Sequence, residues 1–297
     1  MTESPKPADG ASYVWLNGQI MSSNEATVRT DDGGWLHGAG LFETILAQNA
    51  RTFRLEAHIE RLRASAHKLL RPIERDELPT EDNISDLLQA TGIRHARIRL
   101  TVSAGPMKPT DENDIAPTVC MTATPFSGYP APLYQSGATV LVSRAQQSPT
   151  DPLAGHKTIS YLPRLLSLRE AHKAKCLEAI WLTTSHEVAE GAISNLFVVN
   201  NDGKLQTPKL DTPVLPGILR SVVLEVARKA AVDVEETSLN INDLLDAREV
   251  FLTNVIMQVM PVTNIERHTV GDGTPGATTQ KLMLEVTKQI NRECELP

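Results

Sequence analysis

The sequence predicts an α/β protein in two parts, a small α+β domain over 13–123 and a larger α/β domain over 138–297. Three observations carry that expectation. Strand signals come first and surround one strongly amphipathic helix. A stretch rich in proline and glycine at 124–137, TPFSGYPAPLYQSG, then opposes regular structure and reads as an interdomain linker. Beyond it, short apolar strands alternate with helical segments, the pattern of a layered α/β domain. A chain of 297 residues is long enough for two such cores.

In chain order, the first twelve residues mix acid, base and proline, lack the apolar core of a signal peptide, and read as a flexible tail. VWLNGQIM places two short apolar runs around Asn17-Gly18, a strong two-residue hairpin signal. In LEAHIERLRASAHKLL, the residues Leu55, Ile59, Leu62, Ala66 and Leu69 recur at helical spacing, so one face packs and the other carries charge. RIRLTVSAG alternates Ile98, Leu100 and Val102 in the period of a half-buried strand, and TVCMTAT at 118–124 reads as its neighbour. Between these two lies the polar, proline-punctuated 105–117 loop, whose functional reading is a lid. After the linker, GATVLVS, EAIWLTT, NLFVVN and EVFLT read as strands, with helices near 162–175, 217–231 and 277–292.

Composition narrows the function classes. With 29 basic and 36 acidic residues the formal net charge is −7, which would repel a phosphate backbone, so a small metabolite is the expected partner rather than nucleic acid. The three cysteines are widely spaced and odd in number, forming neither a disulfide framework nor a zinc-type pair; reduced thiols in the cytoplasm are expected, with no metal. No apolar run approaches the ~18 residues of a membrane span.

The residues that carry chemistry lie mainly in the second half. Lys157 stands between a turn glycine and a helical run, where Pro163 is tolerated in the first turn. Pro216 and Gly217 precede an apolar helix whose unpaired first-turn amides, with the helix dipole, can bind an anion. Arg61, on the first amphipathic helix, is a second candidate anion ligand. Glu190 sits beside Gly191 with Asn195 opening a strand, a position from which a carboxylate can stabilise a buried cation. Each feature alone is more often a solvated side chain or a plain helix start; together, an amine, a phenol at Tyr161 and a carboxylate suit covalent chemistry on a carbonyl compound.

Taken in order, the motifs resemble those of the fold type IV pyridoxal-phosphate enzymes, the group of branched-chain and D-amino-acid aminotransferases and aminodeoxychorismate lyase. The resemblance covers nearly the whole chain: GGWLHGAGLFETI at 33–45, HIERLRAS, K-x-x-x-Y-L, E-G-x-x-S-N-L-F, L-P-G-I-L-R and EVFLTNVIMQVMPV at 249–262. It implies a D-amino-acid-aminotransferase-like fold with pyridoxal 5′-phosphate joined to Lys157 as a Schiff base. Arg61 and the backbone amides of Ile218 and Leu219 after Gly217 would hold the phosphate, Tyr161 the phenolic oxygen, and Glu190 the pyridine nitrogen. Ser194, Asn195, Asn254 and Val255 would complete the cofactor's surroundings, and Phe42, Arg99 and Ile256 would contact substrate. A homodimer with a shared active site is also implied.

The resemblance implies amino transfer between an amino acid and a 2-oxo acid, with pyruvate-releasing aminodeoxychorismate lyase as the alternative and a cofactor-free metabolite-binding protein as a remoter one. Branched-chain enzymes carry one more residue between the lysine and tyrosine, a threonine in place of Leu219, and a hydroxyl where this chain has Val255. The D-amino-acid branch carries an arginine and a histidine where this chain has SAGPMKPTDEND, with Lys108 as its cation, and a tyrosine in place of Phe42. Arg97 replaces a branched-chain tyrosine, while Arg99 aligns with an arginine on the same strand.

Overall fold

The computed structural model describes residues 12–107 and 116–295. The tail expected over 1–12 lies outside them apart from Ser12, as do Lys108 and the middle of the loop read as a lid. The chain divides into two compact units. Unit 1 runs to Ser127 and takes in Lys157–Ser160 and the chain from Ile290; unit 2 comprises Gly128–His156 and Tyr161–Gln289.

In unit 1, β1 (Tyr13–Leu16) and β2 (Gln19–Ser22) form the hairpin expected around Asn17-Gly18. Both turn residues have positive φ, 46° and 92°, the turn geometry that matches strand twist. There follow α1 (Gly33–His37), β3 (Gly40–Gln48), β4 (Arg51–Thr52), α2 (Leu55–Leu69), α3 (Glu81–Thr91), β5 (Ala96–Ser103) and β6 (Val119–Pro125). The strands pair antiparallel in the order β2-β1-β6-β5-β3-β4, with β5 and β6 adjacent as expected. The apolar stripe of α2 is its buried face: Leu55, Ile59, Leu62 and Ala66 are at most 7% exposed and share a core with Ile45 and Ile98. Full burial of each large side chain there contributes about 1.5–3 kcal/mol. Helix α3 is absent from the sequence expectations. Its signals are a capping box between Thr80 and Asn83, then buried Ile84, Leu87 and Leu88 at helical spacing.

Unit 2 is built on a mixed sheet. Helix α4 (Ala131–Ser136) gives regular structure to part of the stretch read as irregular; Pro132 falls in its first turn, where no intrahelical N–H bond is lost. After it come β7 (Ala138–Gln147), α5 (Leu162–Lys173), β8 (Glu178–Thr183), β9 (Val188–Gly191), β10 (Asn195–Val199), β11 (Leu205–Pro208), α6 (Ile218–Lys229), β12 (Val234–Thr237) and α7 (Ile241–Leu245). The unit continues with β13 (Glu249–Asn254), β14 (Gln258–Ile265), β15 (His268–Thr269) and α8 (Ala277–Glu293). The strand order is β12-β11-β10-β13-β14-β7-β8-β9, with β15 beside β14. β7 and β8 run parallel and are joined through α5, the βαβ connection that carries Lys157 just ahead of the helix. Among the described residues no helix is long and apolar enough to cross a membrane.

Candidate active site

In unit 1, Lys157–Ser160 lie along the start of β3. The Phe42 N–H donates to the Lys157 carbonyl at 2.9 Å, and the Ile159 N–H to the Gly40 carbonyl at 3.0 Å. Gly40 permits this approach, because a Cβ there would lie 2.7 Å from both the Val102 carbonyl and Ile159 Cδ1. The pairing fixes the Lys157 backbone and sets its Nζ 4.4 Å from the ring centroid of Phe42. Arg99 Cζ lies 3.9 Å from the same centroid, and its Nε donates to Thr101 Oγ1 at 3.1 Å. Buried Phe42 thus gathers two of the expected site cations on one aromatic ring, whose face attracts them.

Arg61 reaches a carboxylate that the motif reading did not assign a role. Its Nε donates to Glu43 Oε1 at 2.9 Å and its Nη2 to Glu43 Oε2 at 2.5 Å, a bidentate fork, while His58 Nδ1 pairs with Oε2 at 2.7 Å. His58 and Arg61 stand three residues apart on α2 and so share a face. Burial works against a charge on Glu43, but Arg61 and His58 outweigh it and hold the carboxyl at about 2. Burial likewise holds His58 below its ordinary value despite the adjacent carboxylate. The imidazole is therefore neutral near pH 7, and its Nε2 has no hydrogen-bond partner among the described residues. The sequence signal for Glu43 was a lone carboxylate inside the apolar run GLFETILA, where burial demands a partner.

In unit 2 the expected residues gather around β9 and the start of α6. Glu190 is 3% exposed. Its Oε2 accepts from the Leu215 N–H at 2.9 Å and from Asn195 Nδ2 at 3.4 Å, and its Oε1 from Arg164 Nη2 at 2.6 Å. Asn195 Nδ2 also donates to the Leu215 carbonyl at 2.9 Å, so two site side chains pin the loop that enters α6. At its N-cap, Gly217, a Cβ would collide with Asn195 Oδ1, and no side chain caps the first-turn amides that follow. Ile218 and Leu219 therefore stand at an N-terminus of the kind that binds anions.

The turn between Glu190 and Asn195 is held from several sides. The Tyr161 hydroxyl donates to the Ala192 carbonyl at 2.8 Å. Arg164, to which the sequence reading gave no role, donates through Nη1 to the carbonyls of Gly191 and Ala192 at 3.1 and 3.4 Å. Glu178 accepts from the Ala192 and Ile193 amides, each at 3.1 Å, from Ser194 Oγ at 2.9 Å and from the Ala179 amide at 2.9 Å. Ser194 is thus tied to Glu178. Burial pushes the Glu178 carboxyl up to about 7, and these neutral donors recover only part of the cost. Asn254 closes the next turn: its Oδ1 accepts from the Ile256 and Met257 amides at 2.9 and 2.8 Å, and its Nδ2 donates to the Ile193 carbonyl at 3.1 Å. Val255 and Ile256 are buried, at 7% and 9% exposure, and bring no side-chain hydrogen-bond donor.

The chain is similar to known proteins along nearly its whole length. The family model described as amino-transferase class IV matches residues 40–265. An aminodeoxychorismate lyase of Bacillus subtilis is 30% identical over 285 residues, covering 93% of this chain and 94% of the relative. A D-alanine aminotransferase of Listeria monocytogenes is 28% identical over 288 residues, covering 95% and 97%. Among solved structures, a T.th. branched-chain amino acid aminotransferase with pyridoxamine 5′-phosphate is similar with a TM-score of 0.86 at 27% identity, covering 95% of each chain.

Proposed function

The chain belongs to the class IV aminotransferases, a pyridoxal-phosphate-using family, and from that premise we propose that it moves an amino group between an amino acid and a 2-oxo acid with pyridoxal 5′-phosphate held on Lys157. The donor chemistry of the described residues fits that group. Lys157 offers an amine to an aldehyde. Arg61 and the uncapped amides of Ile218 and Leu219 offer donors to a phosphate dianion. Glu190 has three donors on about four acceptor positions, so it retains capacity for a ring N–H.

When bound, the cofactor supplies an electron sink for the pair left on the substrate α-carbon. Lys157 Nζ would take the substrate α-proton and return it. Phe42 keeps that amine oriented, and Glu43 keeps Arg61 in place. Asn195 fixes both Glu190 and the loop into α6. Tyr161 contributes its hydroxyl to the cofactor's phenolic oxygen, which requires its proton to leave the Ala192 carbonyl. Leu219 and Val255 contribute backbone amides, while Ser194 and Asn254 act through the turns they hold. Phe42, Arg99 and Ile256 contact the substrate.

The observation that carries this reading is Lys157 itself, its backbone locked to β3 and its amine set against Phe42 rather than left on a solvated arm. Reconstitution with pyridoxal phosphate should give visible absorbance that Lys157→Ala abolishes; an unchanged spectrum in that variant removes Lys157 from the role.

A lyase reading is favoured by two further observations: Leu219 and Val255 carry no hydroxyl, and a relative named as an aminodeoxychorismate lyase aligns over nearly the full chain. Half-reactions with a panel of L- and D-amino acids decide between the two. Conversion of bound cofactor to its amine form supports transamination, and pyruvate release from aminodeoxychorismate without amine transfer supports the lyase.

The working form we propose is a cytoplasmic homodimer. Unit 1 exposes Trp35 at 74% and Leu36 at 49%, and unit 2 exposes Leu162 at 64% and Leu165 at 51%, apolar side chains that a second copy would cover. A fully active monomer by light scattering would overturn it.

A further inference from the structure

The carboxylate proposed to face the cofactor ring does not stand alone. Arg164, in the first turn of α5, places Nη2 2.6 Å from Glu190 Oε1, while the same nitrogen donates to Gln147 Oε1 at 3.0 Å. Its Nη1 spans the carbonyls of Gly191 and Ala192, and its Cζ lies 5.1 Å from the Trp181 ring centroid. Four acceptors and an aromatic ring therefore hold the guanidinium, so its position does not depend on Glu190 alone. Burial opposes its charge, but Glu190 more than compensates, and Arg164 stays protonated. The other titratable groups acting on it are Tyr161, whose hydroxyl donates to the Ala192 carbonyl, and Glu178, whose hydrogen bonds come from amides and Ser194.

A lone buried carboxylate beside a pyridine nitrogen holds a proton on that nitrogen strongly, because the resulting cation is its only counter-charge. Here a permanent cation already occupies one carboxylate oxygen. We propose that Arg164 is a positioning residue that weakens the hold of Glu190 on the ring-nitrogen proton of bound pyridoxal phosphate and so limits how strongly the ring draws electrons from the substrate. This rests on the cofactor reading above. The arrangement separates two tasks: Asn195 and the Leu215 amide orient Oε2, and Arg164 sets the net charge behind it.

The test is the 15N signal of pyridoxal phosphate labelled at the ring nitrogen, followed against pH in the reconstituted full chain, in wild type, Arg164→Gln, Arg164→Lys and Glu190→Gln. The midpoint of ring-nitrogen protonation should rise by about one pH unit or more in Arg164→Gln, the usual effect of removing a charge at this range. In Arg164→Lys, whose ammonium cannot serve all four acceptors, it should rise part of the way. An unmoved midpoint in Arg164→Gln, or a folded Arg164→Gln protein that takes up no cofactor, overturns the assignment. So does a wild-type ring nitrogen that stays fully protonated to about pH 10. Should Arg164→Gln fail to fold, an unmoved midpoint in Arg164→Lys has the same force. Glu190→Gln separates the two levels: if it leaves the ring signal unchanged, the placement of Glu190 fails, whereas a shift there with none at Arg164 removes Arg164 alone.

Discussion

Unit 1 and unit 2 each bury a glutamate to 1% exposure, and the two carboxyl groups move in opposite directions. Glu43 has a guanidinium fork and an imidazole, and is held at about 2; Glu178 has three amides and a hydroxyl, and is pushed up to about 7. Burial is equal and the number of donors is similar. What differs is a formal positive charge. Neutral donors satisfy a buried carboxylate without compensating its charge, so Glu178 can clamp a turn yet titrates close to working pH. Glu190 combines the two kinds of partner, bound by an amide, an amide side chain and one guanidinium.

The sharpest way to break this comparison is Glu43→Gln, which leaves Arg61 largely buried with its carboxylate partner removed. Unfolding in urea should show a loss of about 3–5 kcal/mol; a loss under about 1 kcal/mol would mean that solvent or another group already compensates Arg61. The second prediction concerns pH, and the sign differs between the units. The Glu43 contribution is fully present above pH 4.5 and is lost as pH falls through about 2, because its folded value is depressed. For Glu178, raised in the fold, the stability of the neutral form is present below pH 4.5 and is lost as pH rises through about 7. That loss amounts to roughly 3 kcal/mol. Urea midpoints measured from pH 5 to 8 should therefore decline in wild type and flatten in Glu178→Gln; equal slopes in the two proteins would refute the Glu178 assignment.

A smaller effect is expected at Asn195. Removing its amide in Asn195→Ala frees the Leu215 loop and should weaken cofactor binding about fivefold, the worth of one neutral hydrogen bond, as read by titration of the apoprotein. Unchanged affinity would show that Glu190 alone pins that loop. The smallest effect belongs to Lys288, whose exposed bond to Glu285 on α8 should contribute no more than about 0.5 kcal/mol, checked by urea unfolding of Lys288→Ala.

Much of the scaffold was legible because it follows local rules. The Asn17-Gly18 turn, the stripe on α2 and the alternation in β5 each follow from a few adjacent residues. The helix start at Gly217 was legible for the same reason. Glu43, His58 and Arg164 were not, because their meaning lies in partners 15 to 26 residues away in sequence. A histidine and an arginine three residues apart on a helix look solvated until the facing strand is known to carry a carboxylate. The α4 helix shows the converse limit: prolines that mark an irregular stretch in sequence also fit a helix's first turn.

The central claim is that Lys157 carries the cofactor. The most direct measurement is borohydride reduction of the reconstituted protein followed by peptide mass mapping. The account predicts the pyridoxyl phosphate mass on the peptide containing Lys157 and its absence from the other lysine peptides. A label on a different lysine, or none in a protein that shows the visible absorbance, would contradict it.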